Sequence, residues 1–257
     1  MKVVILCGGK GTRFREQTEL RPKPMIEVAG RPILWHIMSY YASFGFDDFV
    51  LCLGYRAEVI KRYFLDFAAL SADFTVDLGA GGKLTLHDAP QVRWRVTCVD
   101  TGEEAMTGAR LRRVGRYLDD DDFMLTYGDG LCDVDLRALL AFHRSHGKIG
   151  TVTGVRPQSR FGELLTDGDR VDRFSEKPAV TEGWINGGFF VFRRAMLEYV
   201  RDDDNCTLER EPLEKLAADD ELRVHRHEGF WQCMDTYRDL QLLERAWASG
   251  AAPWRRW

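Results

Sequence analysis

The sequence predicts an α/β fold: a mixed, mainly parallel sheet flanked by helices, with one β-hairpin insertion. Three observations predict it. Short continuous apolar runs end in glycine, segments of helical periodicity alternate with them, and the alternation breaks once, around a glycine-rich turn. Continuous apolar runs suit strands buried on both faces. Strand–helix alternation is the mark of parallel βαβ units.

Taken in order, Val3 to Cys7 reads as the first strand and stops at Gly8-Gly9. Ile33 to Phe44 carries apolar residues at helical spacing and meets Gly45, a suitable C-cap. Phe49 to Leu53 is the next strand and Glu58 to Phe67 the next helix. Phe74 to Val99 breaks the pattern, with β-leaning pieces around Gly79 to Gly82, and reads as an antiparallel hairpin excursion. Ala109 to Leu118 is helical, Asp119 to Asp122 is an acidic loop, and Phe123 to Tyr127 is a buried strand before Gly128-Asp129-Gly130. A helix over Leu136 to His146 follows. Strands come next over Gly150 to Val155, Arg170 to Phe174 and Gly187 to Phe192, then helices over Glu209 to Ala218 and Tyr237 to Ala248. Trp254 and Trp257 close the chain and suggest docking onto the body or onto another subunit. No repeat or linker interrupts residues 1–257, which read as one domain with an insertion over about 74–99.

Composition narrows the function. With a net charge of −4 there is no broad basic field for nucleic acid. Any phosphate site must come from locally placed Arg, Lys, backbone N–H groups or a metal. No apolar stretch approaches the roughly 18 residues of a membrane span, and the start lacks a signal-peptide pattern. Six scattered cysteines without a C-x-x-C spacing read as reduced thiols of a cytoplasmic protein.

Six constellations carry chemistry. Gly8-Gly9-Lys10-Gly11-Thr12-Arg13 follows the first strand, where glycines let N–H groups approach a phosphate and Arg13 adds a charged fork. It has neither the P-loop spacing nor the third small residue of the dinucleotide fingerprint, which excludes a nicotinamide-dependent oxidoreductase. Arg21-Pro22-Lys23-Pro24 fixes the backbone on both sides of one lysine. Asp129, flanked by glycines at a strand's carboxyl end, is placed to hold a metal with phosphates. Glu176-Lys177 and Asn186 offer partners for a sugar and its phosphate. Asp235 is either a second metal carboxylate or the N-cap of the helix after it. The pairs His143/His146 and His225/His227 show no convergent third ligand and are not assigned zinc.

These motifs, in this order, resemble the sugar-phosphate nucleotidyltransferases, a family with a Rossmann-like sheet that joins a nucleoside monophosphate to a sugar 1-phosphate. Leu6 to Arg13, Arg21 to Met25, Val99 to Gly102, Met106 to Gly108, Thr126 to Gly130, Glu176 to Pro178, Ile185 to Phe190 and Gly229 to Gln232 carry the resemblance. The Tyr127-Gly128-Asp129-Gly130 and Phe230-Trp231-Gln232 segments are similar to the cytidylyl branch, which uses CTP and glucose 1-phosphate in deoxysugar routes. The resemblance implies that Leu6, Gly8, Gly9, Gly11, Thr12, Arg13, Lys23, Thr107, Gly108, Arg110, Gly128 and Asp129 meet the nucleotide. Arg13 and Lys23 would be the catalytic cations, and Asp129 and Asp235 the Mg²⁺ ligands. Tyr127, Gly162, Glu176, Lys177 and Asn186 would face the sugar phosphate. It also implies a homo-oligomer, trimer or hexamer, joined through the β-rich insertion. Two departures stand out: Glu163 follows Gly162 where a small residue is expected, and Cys233 stands where proline is expected.

The expected reaction needs no general base, because the attacking phosphate oxygen is already ionised at pH 7. Its difficulty is electrostatic, an anion attacking an anion, so it rests on positioning and charge neutralisation. The same chemistry on another phosphorylated acceptor or with another nucleotide is the first alternative. A non-catalytic nucleotide-sugar binder is the second, and it would be expected to have lost Arg13, Lys23, Asp129 or Asp235; all four are present.

Overall fold

The computed structural model describes residues 1–11, 14, 18, 21–88, 92–156, 163–167, 170–175 and 183–257, with backbone alone for 163–167 and 172–175. A seven-stranded sheet forms the centre. β1 (Lys2–Leu6) lies between β4 (Asp48–Leu53) and β8 (Asp122–Tyr127), and pairs in parallel with both. β7 (Arg95–Asp100) extends the β4 edge in parallel. On the other side β13 (Ile185–Arg193) runs antiparallel to β8 and to β10 (Gly150–Val155), and β14 (Leu222–His227) closes that edge in parallel with β10. Strand order is therefore β14-β10-β13-β8-β1-β4-β7, with β13 alone reversed.

The alternation of side chains along each strand builds two cores. Val3 and Ile5 enter one layer with Phe49, Leu51 and Leu53, while Val4 and Leu6 enter the other with Val50 and Cys52. This period of two with both faces apolar is why these strands read as unbroken hydrophobic runs. Helix α1 (Ile33–Ser43) lies in the first layer and is buried nearly all round, from Ile33 to Tyr41. Helices α2 (Ala57–Leu65) and α3 (Phe67–Leu70) follow β4. α4 (Thr107–Val114) covers the second layer, and α5 (Leu136–His146) is capped by Asp135, which accepts from the N–H groups of Arg137 and Ala138. α6 (Glu211–Ala218) and α7 (Tyr237–Ala248) complete the described α-helices.

The structure corrects several expectations. The excursion is shorter than 74–99: only β5 (Asp73–Asp77) and β6 (Lys83–His87) form the hairpin, and Arg95–Asp100 is an edge strand of the main sheet. Arg170–Ser175 is a strand as read, and among the described residues it pairs with Glu163–Asp167 as a separate ribbon, β12 with β11. The sixth helix starts at Glu211, because Pro212 suits the first turn and leaves Glu209 in the loop before it. Trp254 docks onto the body: it is fully buried, stacked on Phe230 with centroids 5.3 Å apart. Two small ribbons escaped the sequence reading. β2 (Glu27–Val28) pairs antiparallel with β3 (Arg31–Pro32). β9 (Gly130–Cys132) pairs antiparallel with β15 (Trp231–Cys233), setting Gly130 opposite Cys233.

Candidate active site

Because β1, β4 and β8 run parallel and adjacent, the loops after them open at one edge of the sheet, where ligands gather in open α/β folds. A cavity of about 480 Å³ lies at that edge. Of the residues read from the sequence as nucleotide contacts, Leu6, Gly8, Gly9, Gly11, Lys23, Thr107, Arg110, Gly128 and Asp129 border it. Thr12 and Arg13 lie outside the described residues, as do Gly162, Glu176 and Lys177.

Lys23 is the centre of charge. Pro22 is extended and Pro24 sits in the first turn of a short 3-10 helix over Lys23–Met25, so the backbone on both sides of the lysine is fixed. The ammonium donates to Asp129 Oδ2 and to Asp235 Oδ1, each at 2.6 Å. Burial opposes the charge on Lys23, but the Asp129 carboxylate and then Asp235 more than offset it, and its pKa lies above the ordinary lysine value. The two carboxylates meet because of the β9–β15 ribbon, whose pairing continues as Met234 N–H donates to Asp129 O at 2.8 Å. The ambiguity of Asp235 resolves here. Thr236 is the N-cap of α7, in a capping box with Asp239, and the Asp235 carboxylate turns to Lys23 instead. Two carboxylates closing on one cation are an oxygen donor set suited to a hard divalent ion such as Mg²⁺.

Arg110 and Gly108 make packing contacts that the sequence did not show. The Arg110 Nη groups donate to the carbonyl oxygens of Gly8, Leu53, Gly102 and Glu103 and to Thr101 Oγ1, at 2.8–3.1 Å. Arg110 borders the cavity, and its buried guanidinium also ties the glycine turn after β1 to the end of β4 and to the loop after β7. Burial holds its pKa below the ordinary guanidinium value. A Cβ at Gly8 would lie 2.0 Å from Arg110 Nη1, so the close approach requires glycine. Gly108 does not border the cavity; its N–H donates to Cys206 O, and a Cβ there would lie 2.6 Å from Cys206 Sγ.

A second cavity of about 280 Å³ adjoins the first and shares Tyr127, Asp129 and Asp235 with it. Asn186 borders it, and donates from Nδ2 to Tyr127 Oη at 3.3 Å. Trp231 borders it as well, its indole N–H held by Gly187 O at 2.7 Å. Tyr127 donates in turn to Glu209 Oε1, while Thr107 Oγ1 donates to Glu209 Oε2 at 2.6 Å. Burial, then the Glu209 carboxylate, pushes the Tyr127 phenol well above its usual pKa, so it remains a neutral donor. Sequence reasoning missed Glu209; the proline at 212, read as a helix-start signal, would have released it from the helix. It also missed Cys233, whose thiol stands with Asp129 and Asp235 in one cluster of donor atoms within 4.8 Å of one another. Burial, then Asp129, pushes this thiol up.

The histidine pairs are also corrected in part. His143 Nδ1 and His146 Nε2 both meet Thr151 Oγ1, at 2.9 and 2.8 Å. His227 does find convergent partners: its Nε2 lies 2.8 Å from Asp133 Oδ1, and Cys132 Sγ completes a second donor cluster. No helix among the described residues is long and apolar enough to cross a membrane.

A glycine turn, a clamped lysine and paired carboxylates at the carboxyl edge of a mainly parallel sheet define a protein that handles nucleotide phosphates. The sequence matches the nucleotidyl transferase family model over residues 2–240, and the chain belongs to that family. Within it, the chain is similar to the glucose-1-phosphate cytidylyltransferase of Salmonella typhi, 46% identical over 258 residues covering 100% of each. It is also 31% identical over 246 residues to the mannose-1-phosphate guanyltransferase of Gibberella zeae, covering 93% of this chain and 62% of that one. Among solved structures, HddC from Yersinia pseudotuberculosis superposes with a TM-score of 0.69 over 96% of this chain and 99% of that one; at 22% identity this speaks for the fold alone.

Proposed function

We propose that this nucleotidyltransferase moves CMP from CTP to glucose 1-phosphate, giving CDP-glucose and pyrophosphate. The observation that carries the reading is the clamp of Lys23 between Asp129 and Asp235 where the two cavities meet. The full-length similarity to a glucose-1-phosphate cytidylyltransferase supports the choice of CTP and glucose 1-phosphate.

In this reading the larger cavity takes the nucleotide. Gly8, Gly9 and Gly11 bring backbone against its phosphates, held in place by Arg110. Arg13 supplies a further positive charge there. Lys23 neutralises charge at the α-phosphate, and Asp129 and Asp235 would hold Mg²⁺ against the phosphate oxygens. The chemistry such an ion would supply there is neutralisation of phosphate charge. Lys23 already occupies the carboxylate pair as a monovalent cation, so it is placed to swing from carboxylate to phosphate when nucleotide arrives. The smaller cavity takes the sugar phosphate, with Tyr127 and Asn186 toward the sugar. Gly162, Glu176 and Lys177 complete that side, with Lys177 on the attacking phosphate. The attacking oxygen is already ionised, so the residues need only align it opposite the leaving group and neutralise charge.

The hairpin supports an assembly of identical subunits, read as a trimer or hexamer. Phe74 pairs with Leu86 and Val76 with Leu84, so the four apolar side chains share one face, and all are exposed. Cys98 and Cys233 are half-buried, the other four cysteines are buried, and all six are free, which suits a reducing cytoplasm.

The test is pyrophosphate release by the purified chain with Mg²⁺, glucose 1-phosphate and each of CTP, UTP, dTTP, ATP and GTP. Release with CTP alone is expected. Release with a different nucleotide would correct the base and keep the reaction. Silence with all five, and then with other phosphorylated acceptors at fixed CTP, would overturn the enzymatic reading.

A further inference from the structure

The second donor type at the carboxylate clamp is sulfur. Asp129 stands in the turn between β8 and β9, Cys233 ends β15, and Asp235 precedes the cap of α7. Two separate pieces of chain thus converge, Asp129 on one and Cys233 with Asp235 on the other, with their donor atoms within 4.8 Å of one another. All three border the smaller cavity. Cys233 faces Gly130 across the ribbon, and a Cβ at Gly130 would meet nothing within 4 Å, so space beside the thiol is open.

We propose that Asp129, Cys233 and Asp235 form a site for a thiophilic divalent cation of the zinc or cadmium class, superimposed on the Mg²⁺ position. The proposal rests on the reading above for the Mg²⁺ position, and on the donor cluster alone for the soft cation. Carboxylates by themselves favour hard ions; a thiolate beside them shifts preference toward zinc and its heavier relatives. A tetrahedral ion with Zn–S of about 2.3 Å and Zn–O of about 2.0–2.2 Å sets its ligand atoms roughly 3.5 Å apart.

Binding balances simply. As the sulfur–metal bond forms, the S–H bond breaks, sulfur keeps its electron pair and the proton leaves to solvent. The two carboxylates and one thiolate then surround a divalent ion, and the Lys23 ammonium is displaced from between Asp129 and Asp235. The consequence is inhibition. A tetrahedral ion with three protein ligands keeps one open position, whereas Mg²⁺ on two carboxylates keeps most of its octahedron for water and phosphate oxygens. A soft cation would occupy the site without offering the nucleotide the same purchase.

The experiment titrates the purified, metal-free full chain with Cd²⁺ alone and follows thiolate-to-cadmium charge-transfer absorption. It is repeated on Cys233→Ser and on His227→Gln, the latter because Cys132, Asp133 and His227 form the other donor cluster. Pyrophosphate release in Mg²⁺ is then measured with and without Cd²⁺, each protein normalised to its own cadmium-free rate. A saturable band is expected in the unaltered chain and in His227→Gln, and none in Cys233→Ser. The cadmium concentration for half-inhibition should rise at least about a hundredfold in Cys233→Ser, the upper range seen when even an indirect partner of a metal is lost. A band that persists in Cys233→Ser, or vanishes in His227→Gln, overturns the proposal. Mg²⁺-dependent release without any band overturns it while leaving the proposed reaction intact. A band in a chain that releases no pyrophosphate with any nucleotide keeps the cation site and sinks the reaction.

Discussion

Lys23→Met separates the two tasks assigned to this lysine. The substitution keeps an unbranched chain of similar length and removes only the charge and its three donors. In the metal-free protein it deletes two charge-assisted hydrogen bonds of 2.6 Å. Such bonds are worth about 1.5–3 kcal/mol each. Asp129 and Asp235 are 25% and 22% exposed, so the low end applies. Together the two bonds then amount to about 3 kcal/mol that a divalent cation must offset when it takes the carboxylates from the ammonium. The lysine recovers part of this by turning to the nucleotide phosphates. Removing it should therefore tighten the half-saturating Mg²⁺ concentration by about tenfold rather than the hundredfold that the whole 3 kcal/mol would give.

Turnover should move the opposite way. Loss of one preorganised cation at the α-phosphate should lower kcat by at least about a hundredfold. The assay is pyrophosphate release at saturating CTP and glucose 1-phosphate across a Mg²⁺ titration, for both proteins. Opposite signs, a lower Mg²⁺ requirement with a much lower kcat, are the signature of a lysine that plugs the cation position and then serves the phosphate. A kcat within a few-fold of the parent would refute the catalytic role. A weaker Mg²⁺ response would refute the plug.

Three further outcomes follow from other parts of the molecule. Glu209→Gln replaces one of two accepting oxygens by a donor, so either Tyr127 or Thr107 loses its partner; stability should fall by about 1–2 kcal/mol and kcat/KM by about tenfold, and equal kinetics for both proteins would remove Glu209 from the site. His36 is held neutral by burial, donating from Nε2 to Val28 O at 2.8 Å, and its pKa is lowered from the ordinary 6.5 to about 4. The unfolded chain binds this proton first, so stability is full above pH 6.5 and falls as pH drops toward 4, by about 2 kcal/mol at pH 5; urea midpoints between pH 7.5 and 5 should show the loss, and His36→Gln should flatten it. Phe74→Glu with Leu86→Glu puts two carboxylates on the exposed hairpin face and should convert the proposed assembly to monomers in light scattering, whereas an unchanged oligomeric mass would show that another surface joins the subunits and a monomeric mass for both proteins would refute the assembly.

What the sequence made legible follows a physical division. β1, β4 and β8 could be read because a strand buried on both faces must be apolar at every position, and Val3 to Leu6, Phe49 to Leu53 and Phe123 to Leu125 meet that demand without tertiary information. The glycine turn, Lys23 and Asp129 could be picked out because each sits at a fixed offset from such a strand or between prolines, where residue type alone limits the backbone. The pairing of Asp129 with Asp235 was open, since it depends on a three-residue ribbon, β9 with β15, too short to carry a pattern. The positioning contacts of Arg110 were hidden for the opposite reason. Its position along the chain fits a nucleotide contact and it borders the cavity, but its donors also serve the carbonyls of Gly8, Leu53 and Gly102, which only the folded sheet brings together. The resemblance pointed to these residues, and the hydrogen bonds divide them: Lys23 and Asp129 meet the cavity with charge, whereas Arg110 and Gly108 also hold neighbouring segments together. The distinction has a consequence for substitution. A change at Lys23 should act on turnover before stability, whereas a change at Arg110 removes five hydrogen bonds that tie the turn after β1 to its neighbours and should unfold the cavity wall before any reaction can be measured.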